Sequence, residues 1–92
     1  MVRKQLHVLV EGVVQGVGFR YFVEKNAIRL SLTGFTRNLY DGRVEVLAEG
    51  EESVLKQFLE IIKQGPSFSR VEKTDTEWKE VSGKYTSFNI TF

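Results

Sequence analysis

The sequence has no cysteine, and only one histidine, one proline and one tryptophan. Without cysteine there can be no disulfide, no thiolate metal site and no thiol nucleophile. The absence fits a reducing compartment. With His7 as the sole histidine, any Ser-His-Asp chemistry would have to run through that one residue. No apolar run approaches the roughly 20 residues of a membrane span. The opening Met1-Val2-Arg3-Lys4-Gln5 is basic but lacks the apolar segment and the small-residue cleavage site of a secretory leader. A soluble, cytoplasmic protein with no membrane association is expected.

Charge of one sign is also scarce. Thirteen basic and 12 acidic residues leave a net charge of +1, and the two signs are interspersed. A nucleic-acid partner usually requires a basic surplus on one face, so none is expected. A small anion needs only one or two local charges. The chain has 92 residues, 41% of them hydrophobic and 27% charged, which suits a single domain over residues 1–92 with an ordinary apolar core.

The hydrophobic pattern divides the chain into six main elements. Leu6 to Val14 alternates with a period of two, as a half-buried strand does. Gln15-Gly16-Val17-Gly18 is a turn. From Phe19 to Leu30 the spacing of Phe19, Phe22, Val23, Ala27 and Leu30 becomes helical. Thr33 to Leu39 is a second strand. Tyr40-Asp41-Gly42-Arg43 is a hairpin signal, because Asp-Gly suits positive φ. Arg43 to Glu49 is a third strand, ended by Gly50. Glu51-Glu52-Ser53 opens a second helix with acidic residues near its positive end. Val54, Leu55, Phe58, Leu59, Ile61 and Ile62 form its apolar face, and Gly65-Pro66 stops it. Arg70 to Glu80 is a polar strand, Ser82-Gly83-Lys84 a turn, and Phe88, Ile90 and Phe92 alternate in a short extra strand. The βαββαβ order predicts a ferredoxin-like α+β sandwich, with two helices on one face of an antiparallel sheet. That fold hosts many functions, so function has to come from a site.

The segment Gly12-Val13-Val14-Gln15-Gly16-Val17-Gly18-Phe19-Arg20 joins strand to helix through glycines. Amides at a helix N-terminus have no intrahelical partners, and the dipole adds positive potential there. Glycines let successive N–H groups converge into a nest for an anion, and an arginine in the first turn can hold two phosphate oxygens. The segment matches neither a Walker A loop nor the G-x-G-x-x-G fingerprint. It reads as a single-phosphate cradle or as a plain connecting turn. There is no acid-rich cluster for two metals, which leaves water as the simplest nucleophile. Asn38, at the end of the second strand, could position that water or could simply initiate the turn. Asp41 reads as a turn former, His7 as a strand-face residue, and Trp78 and Tyr85 as core or sheet-face residues. Tyr21 and Phe22, just past the loop, suit either a pocket wall or helix packing. RNA binding on the open sheet face would call for alternating aromatics, and Arg43-Val44-Glu45-Val46-Leu47-Ala48-Glu49 has none.

Two stretches together resemble the acylphosphatase family. One is Gly12 to Arg20. The other is Gly34-Phe35-Thr36-Arg37-Asn38 with Asp41-Gly42-Arg43-Val44-Glu45-Val46 and Glu49-Gly50. Gly65-Pro66 and Ser69-Arg70-Val71 are similar to the family's segment after the second helix. The resemblance implies hydrolysis of small acyl phosphates to carboxylate and inorganic phosphate, with no metal or cofactor. A monomer is expected. It implies phosphate binding by Arg20 and the backbone amides of Gln15, Gly16, Val17, Gly18, Phe19 and Arg20, and orientation of the attacking water by Asn38. Gly18 occupies a variable slot. Ser31 stands where the family often ends its first helix with glycine.

Overall fold

The computed structural model describes residues 2–92. Five strands and two helices follow in the order β1 (Arg3–Val13), α1 (Phe19–Arg29), β2 (Thr33–Asn38), β3 (Val44–Glu51), α2 (Glu52–Gln64), β4 (Arg70–Glu80) and β5 (Phe88–Ile90). The strands form one sheet in the order β4-β1-β3-β2-β5. The alternation in β1 and β3 is in register. Leu6 pairs with Ala48, Val8 with Val46 and Val10 with Val44, and all six are fully buried. Phe19, Val23 and Ala27 of α1 and Leu55, Phe58 and Ile62 of α2 close over that face. Burial of this kind contributes roughly 25 cal/mol per Å² of apolar surface, so the alternation dictates which face the helices cover.

The expected antiparallel sheet holds for β4, β1, β3 and β2, but β5 runs parallel to β2, with Gly34 opposite Phe88 and Thr36 opposite Ile90. The reason lies in the connection from β4. It leaves one edge of the sheet, passes over the open face and reaches the other edge. Buried Glu49 anchors it by accepting hydrogen bonds from Ser82 N (2.7 Å), Ser82 Oγ (2.8 Å) and Gly83 N (3.1 Å). Tyr85 then packs against Phe35, ring centroids 6.0 Å apart. The chain therefore enters β5 running in the direction of β1 and β2.

Several expected boundaries move, among them the start of β1, which lies at Arg3 and not at Leu6. Gly50 does not end β3, because the strand continues to Glu51 by pairing with Arg3 and Lys4. Its glycine serves close packing, since a Cβ there would stand 2.4 Å from a side-chain carbon of Leu32. Phe92 lies beyond the last strand and is fully exposed. Trp78 sits on edge strand β4 and keeps 38% of its surface exposed, so it is not a core residue. His7 is the sheet-face residue expected of it. Its Nε2 lies 2.7 Å from Glu45 Oε2, and Arg37 Nε donates to the other oxygen of the same carboxylate.

Candidate active site

β1 ends at Val13 and α1 begins at Phe19, so residues 14–18 form the connecting loop. Gly16 and Gly18 have φ of 76° and 78°, a region where side chains with a Cβ are strained. Gly18 is the N-cap, and its carbonyl accepts the first helical bond from Phe22 N (3.0 Å). No side chain caps this end, and its first turn holds no acidic residue, whereas α2 has Glu52 in its first turn. The positive end of α1 is thus left without an internal carboxylate, which suits an external anion.

Arg20 is the second residue of α1 and half-buried. Asn38 closes β2, paired with Val44. Both line one cavity of about 160 Å³, together with Val14, Gly16, Gly18, Phe19, Tyr21 and Ile90. At roughly 30 Å³ per water molecule, that is room for a phosphate-sized group. Asn38 Oδ1 is buried and has no hydrogen-bond partner. A buried acceptor left unpaired costs about 1–3 kcal/mol, so a donor brought to this oxygen would be stabilising.

The sequence-predicted residues are therefore mostly brought together. Gly16, Gly18, Phe19, Arg20 and Asn38 border the cavity. The side chain of Val17 packs against the core, and only its backbone belongs to the loop. The side chain of Gln15 reaches away to the β2–β3 turn, where Nε2 donates to Leu39 O and Arg43 O, each at 2.9 Å. Asp41 is a turn former. Its carboxylate accepts from Arg43 N (3.1 Å) and Arg43 Nε (2.8 Å), and the backbone donation above all holds its carboxyl below the ordinary range. Tyr21 is a pocket-wall residue, whereas Phe22 packs against the core.

Sequence reasoning missed Phe92. Its ring centroid lies 5.2 Å from Arg20 Cζ, and it lines a neighbouring cleft of about 490 Å³ with Arg37, Asn38, Leu39 and Tyr40. Alternation with Phe88 and Ile90 suggests a strand. Only the parallel course of β5 brings Phe92 to the site. Among the described residues, no group of three or more His, Cys, Asp or Glu side chains is placed to hold a metal ion, and no helix is long and apolar enough to cross a membrane.

Residues 6–90 match the acylphosphatase family model. The chain belongs to the acylphosphatase family. An acylphosphatase of Caldanaerobacter subterraneus subsp. tengcongensis is 44% identical over 97% of this chain and 99% of its own length. One from Thermus thermophilus is 51% identical over 86% of this chain and 90% of its own length. The crystal structure of the acylphosphatase from Bacillus subtilis superposes with a TM-score of 0.93 at 42% identity, covering 97% of this chain and 99% of that one. The acylphosphatase likeness thus takes in β1, the loop, α1, the hairpin and both sheet edges.

Proposed function

We propose that this acylphosphatase-family chain is a metal-independent hydrolase that cleaves small acyl phosphates to carboxylate and inorganic phosphate, with water as nucleophile. The observation that carries the reading is the sharing of one cavity by Arg20 and Asn38 at the uncapped start of α1. The transferring phosphoryl group would rest on the amides of residues 15–20. Arg20 would hold two of its oxygens, and both would stabilise the charge that spreads over them in the transition state. Asn38 would hold the attacking water through the free Oδ1. An amide has no proton to titrate near neutrality, so it orients water without acting as a base. A carboxylate leaves readily, which makes a strong general acid unnecessary. We further take the chain to be a single domain over residues 1–92, acting as a cytoplasmic monomer on a dissolved substrate, with neither nucleic acid nor membrane as partner.

The test is phosphate release from benzoyl phosphate in the presence of chelator. The wild type should be active. Removing a preorganised donor typically costs about 10²–10³ in kcat, so Arg20→Ala should fall by about that factor, and Asn38→Ala, which misplaces the attacking water, by about 10²-fold, both remaining folded by circular dichroism. An alkyl phosphomonoester, with a much poorer leaving group, should turn over far more slowly. A wild type that binds phosphate but hydrolyses nothing would make the loop a receptor. Activity that disappears with chelator and returns with a divalent cation would remove metal independence.

A further inference from the structure

The cradle and Asn38 come from different segments, and their relative placement depends on what joins them. The cradle is on the loop 14–18 and the first turn of α1, and Asn38 is at the end of β2. Besides the two bonds from Gln15 Nε2, no hydrogen bond among the described residues joins residues 14–18 to residues 38–43. The accepting carbonyls lie on the two legs of the hairpin, Leu39 directly after Asn38 and Arg43 directly before β3. One amide group thus uses both of its protons to fasten the loop to both legs.

These carbonyls do not need Gln15 for satisfaction. Leu39 O also accepts from Gly42 N (3.2 Å), and Arg43 O also accepts from Leu39 N (2.8 Å). Removing the Gln15 donors leaves no buried carbonyl unpaired and leaves the hairpin closed. The fold therefore survives their loss, and what changes is the spacing between the two halves of the site. We propose that Gln15 is a positioning residue. Its side chain sets the distance between the phosphate cradle and Asn38, and through it the placement of the attacking water. The proposal rests on the hydrolase reading given above. Rate is far more sensitive to such spacing than stability is, because a displacement of about 1 Å can cost about 10²-fold.

The experiment compares Gln15→Met, which keeps the length and removes the donors, with Gln15→Asn, which keeps the donors and shortens the reach. Both retain the backbone amide at position 15. Benzoyl phosphate turnover, competitive inhibition by inorganic phosphate and thermal midpoint are measured for each. The expected result is a drop in kcat of about 10- to 100-fold for Gln15→Met and a smaller drop for Gln15→Asn. The phosphate inhibition constant should stay within about twofold, because the cradle is built from backbone and Arg20. Combined with Asn38→Ala, Gln15→Met should add almost nothing, since coupled residues are non-additive. An unchanged kcat overturns the proposal. So does a phosphate inhibition constant that rises in step with the loss in kcat for both variants, which would make Gln15 part of the cradle's folding. So does an undiminished effect in the Asn38→Ala background. A wild type that releases no phosphate removes the hydrolase reading and the positioning role with it, whereas an active wild type matched by Gln15→Met removes the positioning role alone.

Discussion

The ring of Phe92 lies over the guanidinium of Arg20, with Cζ 5.2 Å from the ring centroid. A cation–π contact at an exposed site contributes about 0.5–1 kcal/mol, and here the cation is the proposed phosphate ligand. Phe92→Ala is expected to weaken inhibition by inorganic phosphate about two- to fivefold by that same range, while Phe92→Tyr retains wild-type affinity. Equal phosphate affinity in Phe92→Ala would show that the ring does not hold the guanidinium in place.

Ser31 supports a second prediction, on stability. It has φ of 59° and sits in the cap that ends α1, where Ser31 N donates to Ile28 O (3.0 Å) and Leu32 N to Ala27 O (2.9 Å). This paired pattern prefers glycine at the left-handed position. The left-handed conformation costs a residue with a Cβ about 1–2 kcal/mol, and the extra freedom of glycine in the unfolded chain takes back about 0.4–1 kcal/mol. Ser31→Gly should therefore raise the thermal midpoint by a few degrees, read by circular dichroism. A lowered midpoint would mean that the serine side chain makes a compensating contribution.

A third prediction concerns acid. Burial pushes the Glu49 carboxyl up. Donation from the Ser82 backbone and hydroxyl, from Gln5 Nε2 and from Gly83 N outweighs it and holds the group below its ordinary value of 4.5. The folded state thus keeps this carboxylate charged where the unfolded chain has begun to take up protons. Stability from it is fully present above pH 4.5 and is lost as pH falls through the lower folded value. Glu49→Gln places an NH₂ among donors. It should destabilise at neutral pH by about 1–3 kcal/mol, and its urea midpoint should fall less than that of wild type between pH 5 and the acid limit. Parallel pH profiles for the two proteins would assign acid sensitivity elsewhere.

The core supplies a fourth. Phe58 is fully buried and meets Phe88 edge-on, ring centroids 6.2 Å apart at 80°. Phe88 belongs to β5, so the pair ties α2 to the sheet edge beside the site. Phe58→Ala should cost about 3–5 kcal/mol, measured by urea unfolding. A loss below about 1 kcal/mol would mean that the neighbours collapse into the space.

Much of this molecule is legible in its sequence because its signals are local. The alternation of Leu6, Val8 and Val10 shows which face the helices cover. The spacing of Phe19, Val23 and Ala27 gives the buried stripe of α1. The change of period at Gly16 and Gly18 marks the loop. Asp41-Gly42 marks the hairpin that presents Asn38. What escapes is non-local. Gly50 reads as a strand end, because its pairing with Lys4 and its packing on Leu32 depend on residues far along the chain. The role of the Gln15 side chain depends on carbonyls 24 and 28 positions later, which no spacing rule connects. Phe92 continues the alternation of Phe88 and Ile90, and periodicity does not contain the direction of β5.

That direction governs where the molecule can be extended. β1 carries the chain from Arg3, at one end of the sheet, to the cradle at the other. Eleven residues at roughly 3.3 Å each make that a span of about 35 Å. Because β5 is parallel to β2, Phe92 comes out beside Arg20, at the cradle end. An affinity handle, fluorophore or fused domain joined ahead of Val2 starts remote from the chemistry, and the same addition joined after Phe92 starts at the mouth of the cavity.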